Sequence, residues 1–491
     1  MRNTASVFGL IILAIVAVRA FPAMAQADQP VACSQGSPDE RIAACTKAIE
    51  AASGDAHDLA GVFARRAFAF SLKGDADRAL ADCSEAIRHD PDCFPALILR
   101  GQLFLKRRDW DLAIADFTAA LQRLGGTHAA DGDRAAQTAF HDRGVAYRNK
   151  GDVDRGIVDL NEAIRRDPNS ARAFANRGDA YRLKGDRDRA LSDLNEALRL
   201  DPKYVTALAS RGEELAQRGE IDRALQDLNT AIDIDPKYPY AFAGRSIVYV
   251  AQRDYDHALA DLNRAIDISP REASFYNRRG GVFLRTGNSD HAMADFNSAI
   301  RLDPKLSEAY ANRGKTFLKM QQYDLALSDL NSAIELDPQS ARMLVLRGSV
   351  FFRNGDAAKA SVDFRRASEL DPKNAYTALW DEILARRGVT DSRLARAAQE
   401  IDMTAWPAPL VRLFLGQATP EAATDAAQGP DPTTSKNQTC EAYFYIGEWA
   451  SERADKAEAA RRFRLAADAC PKNFRESEAA VLELKGLAST P

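Results

Sequence analysis

The chain has 491 residues, with 66 lysines and arginines against 70 aspartates and glutamates, so its formal net charge at pH 7 is −4. This length exceeds one ordinary hydrophobic core, and we expect either several domains or a repeat architecture. The near balance of charges argues against nucleic acid as the main ligand, because nucleic-acid-binding domains usually carry a basic excess on one face.

Residues 1–25 have the features of a secretory signal peptide. Arg2 precedes an unbroken stretch of apolar and small residues over 7–18, and Ala23 and Ala25 are small residues where a signal peptidase needs them. The stretch is shorter than the roughly 20 residues that a membrane-spanning helix needs. We predict cleavage after Ala25, secretion to the periplasm of a Gram-negative bacterium and no integral membrane span. Export from a eukaryotic cell is the alternative.

Cys33 raises the alternative of a lipid anchor, because residues 31–33 read Val-Ala-Cys. However, Pro30 stands where a lipid-attachment signal has leucine, and Cys33 lies far from the apolar stretch. We therefore expect an exported chain without a lipid anchor.

A period of 34 residues dominates the middle of the chain. Small residues at three repeat positions predict two antiparallel helices in close approach, and large residues at two others fill the space between them. A proline ends the second helix, because it cannot continue the helical hydrogen bonds. In one repeat, positions 8, 11, 20, 24, 27 and 32 are occupied by Gly178, Tyr181, Ala190, Leu194, Ala197 and Pro202.

This pattern resembles the tetratricopeptide repeat (TPR) family. The resemblance implies an all-α, TPR-type superhelical solenoid of about 10–11 helical hairpins, in which the first helices line a concave groove. The predicted organisation is a signal peptide (1–25), an N-terminal cap with a helix (26–56), units 1–2 (57–124), an insertion (125–137), units 3–9 (138–372), a degenerate repeat and capping segment (373–423), a linker (424–439), a last unit (440–472) and a C-terminal helix (473–491).

Two charged positions recur together in nine repeats. Arginine occupies position 7 and aspartate position 23, from Arg66 and Asp82 to Arg347 and Asp363. These positions lie at nearly the same height in an antiparallel hairpin. We interpret them as a ladder of exposed ion pairs, each contributing ~0–1 kcal/mol, that fixes the hairpin register. The alternative is a row of ligand-binding arginines.

The segment after Pro372 departs from the repeat. It contains Trp380, the stretch WPAPLVRLFLG at 406–416, the sequence FYIG at 444–447 and an Asn-Phe pair at 473–474 before an apolar helix. This order resembles the C-terminal part of the periplasmic adaptor family called new lipoprotein I. The resemblance implies a homodimeric scaffold that brings peptidoglycan hydrolases to a protease. The alternative is a segment that only caps the array.

Six cysteines lie towards the two ends of the chain, and an even count beside a signal peptide indicates disulfides. The last hairpin brings Cys440 and Cys470 together, and a Cys33–Cys45 bridge would staple the N-terminal cap. Ten mostly helical residues would hold Cys83 ~12–15 Å from its neighbour in sequence, Cys93, beyond the ~7 Å that a disulfide allows between Cα atoms. The state of these two cysteines stays open.

We find no paired-histidine metal spacing, CxxC motif, phosphate loop or serine elbow, and we expect neither an enzyme nor a bound metal or cofactor. The expected partners are proteins or extended peptides. We predict a periplasmic scaffold or adaptor for cell-envelope hydrolases or proteases; a subunit of an envelope secretion or polysaccharide-export complex is the alternative.

Family geometry also predicts which residues face the groove. A basic, partly apolar groove suits a peptide that carries carboxylates, and an ordinary solvated face is the alternative. The candidate groove residues are Asn176, Arg182, Arg278, Arg285, Asn312, Lys315, Lys319, Arg342 and Arg353.

Overall fold

The computed structural model describes residues 33, 35–51, 56–124, 130–429, 431–471 and 474–489. The predicted signal peptide, with its cleavage point after Ala25, lies outside these residues. All regular secondary structure in the described residues is helical. None of the helices seen there combines the length and the apolar character needed to cross a membrane. The described residues divide into two compact units at position 270/271, the N-terminal unit (33–270) and the C-terminal unit (271–489).

The N-terminal unit consists of one leading helix and six helical hairpins. After α1, consecutive helices pair from α2 with α3 to α12 with α13, and each hairpin packs on the next. The helices are α1 (Pro38–Glu50), α2 (Ala56–Leu72), α3 (Ala76–His89), α4 (Phe94–Arg107), α5 (Trp110–Leu124), α6 (Ala130–Lys150), α7 (Val153–Arg166), α8 (Ala171–Lys184), α9 (Arg187–Leu200), α10 (Val205–Gln217), α11 (Ile221–Ile234), α12 (Pro239–Ala251) and α13 (Tyr255–Ile268).

The C-terminal unit begins with three hairpins, α14/α15 to α18/α19, and ends with a fourth, α24/α25, followed by α26. The predicted all-α architecture of TPR-type hairpins is confirmed. The helices are α14 (Ala273–Arg285), α15 (Ser289–Leu302), α16 (Ser307–Lys319), α17 (Tyr323–Leu336), α18 (Ala341–Arg353), α19 (Ala357–Leu370), α20 (Ala375–Arg386), α21 (Leu394–Ala397), α22 (Ala408–Phe414), α23 (Pro420–Asp425), α24 (Pro432–Glu452), α25 (Lys456–Ala469) and α26 (Arg475–Ser489).

Two predicted boundaries differ from the structure. Helix α24 begins at Pro432, inside the predicted linker 424–439, because proline is favourable in the first turn and Asp431 caps the helix by accepting from the Thr433 and Thr434 amides. Helix α6 likewise covers 130–137 of the predicted insertion 125–137. Its buried Ala135 and Ala136 pack beside Leu124, although the surrounding sequence is polar.

The columns of small residues mark where two helices touch. In the α10/α11 hairpin, Ala224, Leu228 and Ala231 are fully buried. A Cβ atom on Gly212 would lie 2.6 Å from the Leu228 Cγ, so a larger residue would push the helices apart. In this hairpin, a glycine on the first helix therefore faces a bulky side chain on the second.

The turn inside a hairpin follows from a Gly-Asp pair. Gly185 ends α8 with a φ of 83°, in the left-handed region that glycine adopts without a Cβ clash. Asp186 then caps α9, where its carboxylate accepts from the Arg189 amide at 3.2 Å. The two residues reverse the chain and start the second helix.

The Arg–Asp ladder is buried on its aspartate side, so the expectation of exposed pairs is wrong. Arg211 donates from Nε and Nη2 to the Asp227 carboxylate at 2.7 and 2.8 Å, and Asp227 is 7% exposed. Arg211 Nη1 also donates to Asn195 Oδ1 at 2.9 Å, and Asn195 lies in the second helix of the preceding hairpin. The nine pairs are Arg66–Asp82, Arg100–Asp116, Arg143–Asp159, Arg177–Asp193, Arg211–Asp227, Arg245–Asp261, Arg279–Asp295, Arg313–Asp329 and Arg347–Asp363.

We predict that Arg211→Ala lowers the free energy of unfolding by about 2–4 kcal/mol, because it leaves a buried carboxylate without its counter-ion. Chemical denaturation followed by circular dichroism measures the loss. The matched control is Arg199→Ala, whose ion pair with Glu196 lies on the surface; its loss should stay within about 0.5 kcal/mol. Equal losses for the two variants would contradict a structural role for the ladder.

Two disulfides link four of the six cysteines. Cys33 is bonded to Cys45 with 5.0 Å between their Cα atoms, and Cys440 in α24 is bonded to Cys470 after α25 with 4.9 Å. Cys83 and Cys93 are buried free thiols. Burial raises the pKa of both, so they stay protonated at neutral pH.

The Cys440–Cys470 bond closes a loop with a sequence separation of 30. We predict that the double variant Cys440→Ala/Cys470→Ala is destabilised by about 3–4 kcal/mol, as expected for a loop of this size. Amide hydrogen exchange should accelerate in α24 and α25 and stay unchanged in α1. Unchanged exchange in α24 and α25 would show that packing alone closes the last hairpin.

Candidate functional site

The two predicted groove residues of the N-terminal unit are buried, which contradicts their assignment to an open surface. Asn176 Oδ1 accepts from Arg148 Nη1, and Asn176 Nδ2 lies 3.0 Å from His141 Nε2. The Arg182 side chain is 8% exposed and lies 3.6 Å from the Glu213 carboxylate. Both side chains are therefore engaged by neighbouring polar groups of the same unit.

His141 and Asp142, which carry no recognisable sequence signal, lie at the centre of this buried network. His141 Nδ1 is 2.8 Å from Asp142 Oδ1. Burial, aided by Arg172, lowers the pKa of His141 to about 4, so its imidazole is neutral at pH 7. Both ring nitrogens contact protein groups, and we interpret the network as structural. Among the described residues, no group of three or more histidines, cysteines or carboxylates is arranged to hold a metal ion.

In the C-terminal unit, four of the predicted residues line one cavity of about 460 Å³. Lys315 and Lys319 come from α16, and Arg342 and Arg353 come from α18. Both lysines are exposed, and the two sets of side chains face a shared space. The structure therefore brings together residues that the sequence placed in separate repeats.

The remaining three predicted residues do not line this cavity. Arg278 and Arg285 are on α14, where Arg285 is exposed. Asn312 lies behind the cavity: it donates to Asn277 Oδ1 at 3.0 Å and accepts from Arg342 Nη2 at 2.9 Å. Asn312 thus positions Arg342.

The opposite wall of the cavity is acidic, which the sequence analysis did not predict. Glu441 of α24 and Glu476 and Glu478 of α26 line it, together with Tyr376 and Phe474. Leu318, Val345 and Leu346 form an apolar part of the lining. The cavity therefore joins a basic wall, an acidic wall and an apolar patch. The available signal was the pair Glu476 and Glu478 in the first turn of the last helix.

Each acidic residue has a defined partner. Glu441 Oε2 accepts from the Tyr376 hydroxyl and from Trp406 Nε1, both at 2.7 Å. Burial and this carboxylate raise the pKa of Tyr376, which keeps the phenol protonated as a donor. Glu476 Oε1 accepts from the Tyr445 hydroxyl at 3.4 Å, and Glu478 forms an ion pair with Arg353 across the cavity.

Glu308 lies close to Arg342 at the start of α16 and is almost fully buried. Burial raises its pKa from 4.5 to about 7, against the opposing effect of Arg342. Its nearby hydrogen-bond partner is the Ser307 hydroxyl at 3.3 Å. The carboxyl group is therefore only partly ionised at neutral pH.

We predict that Glu308→Gln stabilises the protein increasingly as the pH rises. The folded pKa lies above the unfolded value, so the wild type loses stability between pH 4.5 and 7 while this glutamine variant does not; the difference reaches at most about 3 kcal/mol. Melting temperatures at pH 5 and pH 8 test this. Glu335→Gln, on an exposed site of α17, is the control. A difference independent of pH would contradict the raised pKa.

Comparison with protein-family models identifies one repeat family. Models described as tetratricopeptide repeat match residues 73–129, 141–203, 177–239 and 244–307, then 307–340, then 341–374. Together these matches span more than half of the chain. They end before the C-terminal segment, and no curated protein matches the chain. The comparisons do not support the resemblance to new lipoprotein I.

Solved structures that match parts or most of the chain come from several sources. A tetratricopeptide repeat protein from Parabacteroides merdae is 22% identical, with a TM-score of 0.42, covering 52% of this chain and 97% of its own. A thermophilic TPR protein from Thermus thermophilus is 24% identical, with a TM-score of 0.36, covering 37% and 100%. The Cut9–Hcn1 hetero-tetramer of APC/C gives 15% identity, a TM-score of 0.44 and coverage of 92% and 93%.

Proposed function

Because the chain belongs to the tetratricopeptide repeat family, we propose that it is a protein-binding scaffold whose C-terminal unit holds an acidic segment of a partner protein. The binding site is the cavity between α16, α18 and the start of α26, hereafter the basic cavity. No chemical step is assigned to it. Its role is to hold the partner.

The convergence of four cationic side chains carries this proposal. Lys315 and Lys319 are four residues apart and share one face of α16. Arg342 and Arg353 are on the face of α18 that also presents Val345 and Leu346 to the basic cavity. One of these cations, Arg353, already pairs with a carboxylate of the chain, Glu478, so the arrangement can accommodate carboxylates.

The apolar part of the lining indicates what accompanies the carboxylates. Leu318, Val345 and Leu346 lie among the cationic residues, and Phe474 lines the opposite wall. A volume of about 460 Å³ falls within the range of ordinary ligand sites. The site therefore suits a short peptide stretch in which acidic residues flank an apolar side chain.

We further propose that the scaffold works in the periplasm. The signal-peptide features of residues 1–25 and the two disulfides support an oxidising compartment. Cell-envelope hydrolases or proteases are the proposed clients, on the C-terminal resemblance alone. Affinity capture from crosslinked cell envelopes tests this choice. Recovery of export-channel proteins without any hydrolase or protease would favour the secretion-complex alternative.

The basic cavity is tested with the double variant Lys315→Glu/Lys319→Glu. A fluorescein-labelled octapeptide of alternating glutamate with alanine or leucine serves as the probe, and fluorescence anisotropy measures its affinity. We predict that the variant binds at least about tenfold more weakly, since two attractive charges become repulsive. Added salt should weaken binding to the wild type.

The matched control is Lys203→Glu/Lys237→Glu, which makes the same charge change at exposed turns of the N-terminal unit. It should keep wild-type affinity. If both double variants lost affinity equally, the peptide would be responding to net charge, and the basic cavity would not be its site.

A further inference from the structure

Helix α26 reaches into the basic cavity with its own carboxylates. It packs mainly on α25 and also contacts α24 and α18, and Glu476 and Glu478 form part of the cavity wall. Glu478 forms an ion pair with Arg353, one of the four cationic residues of the site. One end of the proposed binding site is therefore occupied by the chain itself.

A second carboxylate of α26 holds the helix at another arginine. Glu483 Oε1 lies 2.9 Å from Arg387 Nη2, directly after α20. The same arginine donates to Glu448 of α24 at 2.6 Å. Arg387 thus links α26 to the last hairpin, at a position outside the cavity lining.

The docking of α26 combines apolar packing with polar contacts, and the two lie in different parts of the helix. Ala479 and Ala480 are buried, Leu484 and Leu487 pack partly buried against the same core, and Val481 is 42% exposed. The leading residues 476–478, which line the basic cavity, make polar contacts. Glu478 pairs with Arg353, and Glu476 accepts from the Tyr445 hydroxyl at 3.4 Å.

The helix cannot diffuse away when it detaches. The Cys440–Cys470 disulfide fixes the chain a few residues before Arg475, so α26 stays tethered beside the site. A tethered segment competes at an effective concentration in the ~mM range. The tethered helix can therefore occupy the site most of the time.

Charge gives the helix a direct effect on partner binding. The cavity wall contains four cationic residues and three glutamates, and α26 supplies two of these, Glu476 and Glu478. Release of α26 removes these two carboxylates from the wall, while Glu441 and the Glu308 carboxyl beside Arg342 remain. An acidic partner segment is attracted more strongly to the open form, where its carboxylate can take the place of Glu478 at Arg353.

From these contacts we propose that α26 is an internal competitor for the basic cavity, displaced by an acidic partner segment that takes over Arg353. This inference rests on the proposed function. The expected partner is a peptide segment with glutamates and small apolar residues, which resembles the part of α26 that lines the cavity. Binding of the partner segment then requires release of α26 from the basic cavity.

The variant Glu483→Gln tests the exchange without changing any residue of the cavity wall. Weakening the Glu483–Arg387 pair favours release, so the acidic octapeptide should bind about three- to tenfold more tightly than to the wild type. Glu478→Gln/Glu483→Gln should bind more tightly still. The control Glu400→Gln/Glu421→Gln alters two exposed glutamates of the same unit and should leave the affinity unchanged.

Hydrogen exchange supplies an independent measurement on the full chain. Peptide binding to the wild type should accelerate amide exchange in residues 475–489 and leave α24 protected, which also shows that the variants remain folded. Lysine-dependent peptide binding with unchanged α26 exchange and unchanged affinity in Glu483→Gln would overturn the inference and leave the proposed function standing. Absence of peptide binding to every protein would overturn both.

Discussion

The bidentate Arg–Asp pair connects the two levels on which this architecture is built. Within a hairpin it joins the first helix to the second, as Arg211 does with Asp227. The third nitrogen of the same guanidinium reaches Asn195 in the hairpin before. Because the planar guanidinium offers its donors in a fixed geometry, one side chain sets both the pairing of helices and the stacking of hairpins. Lysine, with a single ammonium group, could not make both contacts in this way.

Most of the fold could be predicted from the sequence, because its information is local and repeated. A glycine such as Gly212 and a leucine such as Leu228 recur at fixed spacing, and their contact follows from simple size complementarity. The exposure of the ion pairs was predicted wrongly, since position alone does not reveal that stacking covers the aspartate. The start of α24 was misplaced because proline marks both linkers and first turns of helices.

The candidate site was predictable only in part. The basic wall follows from periodic positions on α16 and α18, which any repeat rule can locate. The acidic wall follows from the return of residues 441 and 476–478 to those helices, a long-range contact that no local pattern encodes. Asn176 and Arg182 illustrate the opposite problem: their helix face was predicted, but the neighbouring side chains that bury them were not. A groove position is therefore a necessary condition for ligand contact and not a sufficient one.

The two covalent crosslinks have a consequence for how such an array comes apart. In a repeat array each hairpin contacts only its neighbours. Unfolding therefore starts most easily at an end of the array, where one neighbour is missing, and proceeds inward from repeat to repeat. Cys33–Cys45 secures the leading helix α1, and Cys440–Cys470 secures the last hairpin. The covalent bonds thus lie near the ends where fraying begins, and the interior repeats rely on packing and on the Arg–Asp pairs. Reduction of the disulfides would therefore destabilise the two ends of the array and not its middle, and unfolding would proceed inward from each end.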